Sequence, residues 1–258
     1  MSGFVKGEGP ALVLLHGVGL DHTMWRPLAD RLARHRKVIA FDLPGHGKAS
    51  GLTVPATLAQ FTSRLWQEMD RLKLTQIDLC GFSMGAMIAQ AAVHERPDAI
   101  GELVLMSGVH RRSESERAGV RARLQQSRDQ GPASNIEGAL QRWFTPAFHR
   151  ARPDAIDGIR MQMQGNDPDE FLKAYEVFAE ADLDLADRAS MIKHRTLVTT
   201  GELDTGSTPA MMTALANEMA CAQSQLLAGL AHMAPVEDPD TVATALEAFL
   251  TTPEKSST

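Results

Sequence analysis

The sequence is short of cysteine, of basic tracts and of long apolar runs, and each shortage removes a class of protein. Cys80 and Cys221 are the only cysteines in 258 residues. Cys80 ends the apolar run Gln76-Ile77-Asp78-Leu79-Cys80, so a buried thiol fits better than a disulfide or a metal ligand. No His, Cys and Asp cluster shows metal-ligand spacing, so no metal is expected. The net charge is −6, with no basic tract, which argues against nucleic acid and anionic membrane as partners. No stretch approaches about 18 unbroken apolar residues. Met1 to Pro10 has no apolar leader segment or cleavage site. Both absences lead us to expect a soluble, cytoplasmic protein. No internal repeat is visible. What remains, 43% hydrophobic and 22% charged, suits one large α/β domain with room for an insertion.

The chain is organised around Gly81-Phe82-Ser83-Met84-Gly85. An apolar run of strand length precedes it. Ala86 to Glu95, free of Pro and Gly, follows it and has the length of a helix. Gly-x-Ser-x-Gly between strand and helix is the nucleophile-elbow pattern. A serine on so tight a turn holds a strained backbone, and small neighbours are needed where strand and helix nearly touch. The hydroxyl then stands above the sheet with the positive end of a helix beneath it, which suits a developing oxyanion. Five-residue matches of this kind also arise by chance. The strand before and the helix after are what single this one out.

Around it the chain alternates. Phe4-Val5-Lys6, Ala11 to Leu15, Val38 to Phe41, Leu103 to Met106, Thr196 to Thr200 and Gln223 to Leu227 have the character of strands. Ala11 to Leu15 is wholly apolar and is expected to be buried on both faces. Met24 to Ala33, Thr57 to Leu72 and Thr241 to Leu250 have helical spacing, and Ser207-Thr208-Pro209 is a helix-start signal. Thr251 to Thr258 is expected to be a frayed tail. From Val109 to His194 no strand is evident; helices are expected near Glu114 to Arg128, Asn135 to Phe144, Pro153 to Gln164 and Pro168 to Ala181. The expected architecture is a mainly parallel sheet with helices on both faces, residues 1–108 and 195–258, and an all-helical cap, residues 109–194.

A serine hydroxyl needs a base, and the base needs a carboxylate to orient it. In the elbow arrangement the chain order is Ser, then Asp or Glu, then His. Ser83 is followed by Asp204, just past the Thr196–Thr200 strand, and by His232, just past the last strand. All three fall at carboxyl ends of strands, where open α/β sheets place their sites. Asp204 as a plain turn residue and Glu202 as the orienter are the alternatives. The template puts the oxyanion on the N–H of the residue after the nucleophile, Met84, and on one from the loop after the first long strand, Val18. His16 is expected to order that loop. His22, His35, His46, His94, His110, His149 and His194 are expected to be solvated or structural.

His16-Gly17, Asp42-Leu43-Pro44-Gly45-His46-Gly47, the elbow, Asp204 and His232 together resemble the landmarks of the α/β-hydrolase superfamily over essentially the whole chain. Within it, Arg142-Trp143-Phe144-Thr145-Pro146, Met24-Trp25 and Ala181-Asp182-Leu183 resemble 3-oxoadipate enol-lactonases. Two departures stand out. The N-terminus has room for only one leading strand, and His16-Gly17-Val18 replaces an Asn-Ser type of loop. The resemblance implies a serine hydrolase acting on a small ester or lactone through an acyl-serine, with no cofactor. It implies Trp143 lining the pocket from above, with Trp25 and Met233 also at the substrate. C–C bond hydrolysis and cofactor-free perhydrolysis would use the same triad, and a hydrolase-like protein that only captures a small ligand is the non-enzymatic alternative. Oligomeric state stays open.

Overall fold

The computed structural model describes residues 2–250, apart from the side chains at positions 183 and 184. The expected tail, Thr251 to Thr258, lies outside the described residues. Seven strands form one sheet: β1 (Gly3–Lys6), β2 (Ala11–Leu15), β3 (Lys37–Phe41), β4 (Ile77–Phe82), β5 (Ile100–Met106), β6 (Thr196–Gly201) and β7 (Ala222–Leu227). Their order is β1-β3-β2-β4-β5-β6-β7. Only β1 runs antiparallel, pairing Gly3 with Phe41 and Lys6 with Val38 on β3. β1 is the strand expected at Phe4-Val5-Lys6.

The period of two along each strand feeds two cores. Val13, Leu15, Ile39, Phe41, Leu79, Leu103 and Leu105 face one side. Leu12, Leu14, Val38, Ala40, Cys80, Val104 and Met106 face the other. Unbroken apolar runs therefore mean strands covered on both faces. The first side is covered by α2 (Leu58–Arg71), through Phe61, Leu65 and Met69, and by α3 (Met84–Glu95). The second is covered by α1 (Arg26–Leu32), through Leu28 and Leu32, and by the last helix (Pro239–Phe249), through Val242, Leu246 and Phe249. β7 closes the sheet with Gln223, Ser224 and Gln225 exposed, a polar edge that discourages pairing with another chain.

Between β5 and β6 the described residues form helices and no strand: α4 (Glu114–Gln130), α5 (Ile136–Trp143), α6 (Pro146–Ala151), α7 (Pro153–Gln164), α8 (Pro168–Glu180) and α9 (Asp182–Ala186). After β6 come α10 (Pro209–Glu218), α11 (Ala234–Glu237) and α12, the last helix already described. The single helix expected from Met24 to Ala33 is a 3-10 turn, His22–Trp25, followed by α1, because Asp21 caps the turn and Pro27 sits in the first turn of the helix proper. Thr145-Pro146 separates α5 from α6 and starts the latter. The Thr145 hydroxyl accepts the Phe148 N–H at 3.1 Å, with proline at the first helical position. No helix among the described residues is long and apolar enough to cross a membrane.

Candidate active site

The parallel strands end in step: Leu15 pairs with Gly81, Gly81 with Leu105 and Leu105 with Val198. The loops leaving β2, β4, β6 and β7 therefore emerge at one edge. β2 lies between β3 and β4, so the chain's direction of travel across the sheet reverses there and opens a crevice at that edge.

Ser83 joins β4 to α3 with φ 54° and ψ −114°, outside the regions open to ordinary L-residues. Its N–H is tied to the Met106 carbonyl at 2.8 Å and its carbonyl takes the Ala86 N–H at 3.0 Å, so both flanks of the strained residue are held. The glycines around it are a packing necessity. A Cβ on Gly81 would stand 2.1 Å from the Gly85 carbonyl oxygen, and one on Gly85 would stand 2.3 Å from that of Leu15. The Met84 N–H opens α3 and is one of the four donors a helix cannot satisfy within itself.

His232 Nδ1 meets Asp204 Oδ2 at 2.7 Å, with both side chains buried. Asp204 Oδ1 accepts the Gly206 and Ser207 N–H groups, each at 2.9 Å, and the Thr200 hydroxyl lies 3.1 Å from Oδ2. Burial pushes the Asp204 carboxyl up. The adjacent His232 and the Ser207 and Gly206 donors outweigh burial and hold it below the usual carboxylate range. The His232 loop is pinned from several sides. Met233 N–H donates to the Trp143 carbonyl at 2.9 Å, and Glu237 accepts the N–H groups of Thr145 and Ala231. Glu202, the rival orienter, instead accepts the Gly229 N–H at 2.8 Å and is exposed.

Ser83, Asp204, His232, Val18 and Trp143 all line one cavity of about 320 Å³, which residues of α4, α5, α7 and α8 also line. The Trp143 ring is tilted over His232 with ring centres 5.9 Å apart. Trp25 and Met233 do not line the cavity, contrary to expectation. Trp25 is wholly buried in the core on the second side of the sheet, edge-on to Phe82 at 6.2 Å, and Met233 is wholly buried in the same cluster. The structure adds Arg112, Arg123, Arg142 and Tyr175 to the lining.

The sequence pattern of the alpha/beta hydrolase family matches residues 12–245. The chain belongs to this family. It is 32% identical to (E)-2-((N-methylformamido)methylene)succinate hydrolase of Acinetobacter baylyi over 249 residues, 96% of this chain and 93% of the relative. It is 25% identical to 3-oxoadipate enol-lactonase 2 of the same organism over 247 residues, 96% of this chain and 91% of the relative. The crystal structure of the enol-lactonase from Burkholderia xenovorans superposes with a TM-score of 0.88 at 29% identity, covering 97% of this chain and 96% of that one. The likeness to enol-lactonases therefore holds in sequence and in fold.

Away from the cavity, His16 and His46 are buried and built into the fold. The His16 ring is buried, with Nδ1–H donating to the Gly17 carbonyl at 2.8 Å and Nε2 accepting the Leu43 N–H at 2.9 Å, so it fixes the start of the loop that carries Val18. His46 packs edge-on against it at 5.1 Å. Burial lowers His16 to about 4, and burial with His16 alongside lowers His46 to about 3. Asp21, His22 and Asp42 bring one potential ligand atom each within 4.8 Å of one another. All three are already engaged within the fold, since His22 Nδ1 lies on Asp42 at 2.5 Å and Asp21 caps the 3-10 turn.

The two buried rings make stability pH-dependent. Both bind a proton more readily in the unfolded chain, near pH 6.5, than in the folded one. Their contribution is therefore complete above about pH 6.5 and is lost as pH falls toward 4, at about 1.4 kcal/mol per unit of depression. The melting temperature should fall steadily below pH 6.5, and more gently in His46→Gln. A flat profile down to pH 4.5 would contradict this account.

Proposed function

We propose that this hydrolase cleaves a small carboxylic ester or lactone through an acyl-serine intermediate. The observation that carries the reading is the convergence of Ser83, His232 and Asp204 on one cavity, with His232 Nδ1 bound to a carboxylate. A proton fixed on Nδ1 leaves Nε2 free to take one from Ser83. Ser83 attacks the carbonyl carbon as its proton passes to His232. The tetrahedral oxyanion is held by the Met84 and Val18 N–H groups. The imidazolium, stabilised by Asp204, then protonates the leaving oxygen. Water, deprotonated by His232, releases the acid and restores Ser83.

Residues 109–194 act as a cap on the core formed by 1–108 and 195–258. The cavity volume sits at the lower end of the range for small-molecule sites, which favours a compact substrate. Trp143 supplies an apolar wall beside His232 that holds a short acyl group and limits water. Relatives are named for a methylenesuccinate derivative and an enol-lactone. A small ester or lactone, as in the enol-lactone relative, is the substrate class proposed.

A fluorophosphonate probe followed by intact-mass measurement tests the nucleophile. The expected result is one adduct per chain, absent in Ser83→Ala. A folded wild-type protein that takes up no probe would instead support a hydrolase-like binder.

A further inference from the structure

The loop that carries Val18 has glycine on both sides of it. Gly17-Val18-Gly19-Leu20 closes as a turn, with the Leu20 N–H on the Gly17 carbonyl at 3.3 Å and Gly19 at φ 81°. Glycine permits that conformation and also leaves the chain free to depart from it. A peptide is a rigid plane, so the Val18 N–H turns with the Gly17 carbonyl. His16 holds that carbonyl from the core side, at 2.8 Å. The other end of the turn is held from the helical insertion.

Asn166, between α7 and α8, has its whole amide engaged. Its Oδ1 accepts the Gly47 N–H at 2.8 Å. Its Nδ2 donates to the Gly19 carbonyl at 2.9 Å and to the Met163 carbonyl at 3.3 Å. The partners fix which way the amide points, because an N–H only donates and a carbonyl only accepts. Packing supports the same joint: a Cβ on Gly19 would lie 3.5 Å from the side chains of Met163 and Phe171, both on the insertion. Gly47 follows closely on Leu43, whose N–H rests on His16 Nε2 at 2.9 Å. The turn is therefore gripped by His16 on one side and by Asn166 on the other. Asn166 does not line the cavity. A separate link between insertion and core, Glu170 accepting the Gly51 and Leu52 N–H groups at 2.9 and 3.1 Å, leaves the turn untouched.

We infer that Asn166 is a positioning residue for the oxyanion hole: it clamps the Gly19 carbonyl and so keeps the Val18 N–H aimed at the place where the oxyanion forms. This rests on the acyl-serine reading, in which Val18 is a donor to that oxyanion. Such a donor contributes only when it is held in place before the charge develops. A turn pinned at the Gly17 carbonyl alone can still swing about Val18 and Gly19, and the second pin removes that freedom. The α7–α8 end of the insertion is then part of the catalytic framework as well as a cover.

The test measures p-nitrophenyl butyrate hydrolysis and inhibition by butaneboronic acid, whose tetrahedral adduct on Ser83 places an oxygen in the hole. Asn166→Asp keeps an acceptor for the Gly47 N–H and loses the donor to Gly19; Asn166→Ala loses both. Each should lower kcat by roughly 10- to 100-fold, less than the outright loss of an oxyanion donor. The boronate inhibition constant should rise by the same factor, and KM should change by less than about threefold. Glu170→Ala loosens the insertion without touching the turn, so it should lower the melting temperature and leave kcat within about threefold of wild type. Wild-type kcat in folded Asn166→Asp, a rise in KM alone, or an equal loss of kcat in Glu170→Ala overturns the positioning role. If Asn166→Asp does not fold, Asn166→Ala set against Glu170→Ala decides in the same way. Fluorophosphonate labelling of wild type separates the two levels. A labelled, active wild type beside an unimpaired Asn166→Asp defeats the positioning role alone, and an unlabelled, inactive wild type defeats the acyl-serine reading with it.

Discussion

Ser83→Ala is expected to lower kcat by about a million-fold on any ester or lactone that the enzyme accepts, while the protein remains folded. The size follows from what the substitution removes and what it leaves. On the proposed mechanism the attacking oxygen is lost, and with it the acyl-enzyme that divides one hard step into two easier ones. The Met84 and Val18 N–H groups and the cavity remain, so a residual rate of about 10³–10⁴ over water should survive. Folding should be nearly unaffected. Alanine has the same Cβ as serine and meets the same strain at φ 54°, and the bonds from the Ser83 N–H to Met106 and from Ala86 to the Ser83 carbonyl are backbone bonds that the change does not touch. Purified variant should be assayed at high concentration beside its melting curve. Turnover within a hundredfold of wild type would remove Ser83 from the mechanism.

Much of the architecture was legible because it rests on local rules. Apolar runs gave the strands, the three-to-four spacing of Phe61, Leu65 and Met69 gave α2, and Gly81 and Gly85 marked a place where backbones meet. Element ends were less legible: β5 begins at Ile100 rather than Leu103, because pairing with Ile77 extends it. Met233 shows why the neighbour of a motif residue misleads. A loop places alternate side chains above and below the sheet edge, and sequence adjacency does not say which. Arg123 and Arg142 were invisible as lining residues because they sit on separate helices, α4 and α5, and only tertiary packing turns both toward one cavity. The support of Asp204 had a readable signal: Asp204-Thr205-Gly206-Ser207 has the composition of an Asx turn, whose carboxylate takes the two N–H groups that follow. Thr200 had none, since its role depends on where β6 ends against that turn.

Asp204→Asn should lower kcat by about 10⁴-fold with little loss of fold, and the hydrogen bonds around the carboxylate say why. Oδ1 accepts two backbone N–H groups, from Gly206 and Ser207, neither of which can turn into an acceptor. The single oxygen of an asparagine must therefore stay on that side. Its NH₂ then occupies the place of Oδ2 and points at His232 Nδ1 and the Thr200 hydroxyl. Thr200 adapts, because its hydroxyl can accept from the amide while donating to the Ser207 carbonyl, 2.9 Å away. His232 adapts only by moving its proton to Nε2, so that Nδ1 accepts. That nitrogen is the one that must take the Ser83 proton, so the ring is held in the tautomer that cannot act as the base. The imidazolium of the transition state also loses its facing charge. Glu202→Gln should differ sharply, changing kcat less than about threefold, because Glu202 is exposed and holds only the Gly229 N–H. Rates for both variants on one ester, with melting curves, decide the matter. If Glu202→Gln is the crippled protein, or Asp204→Asn keeps a tenth of wild-type turnover, Asp204 does not orient the base.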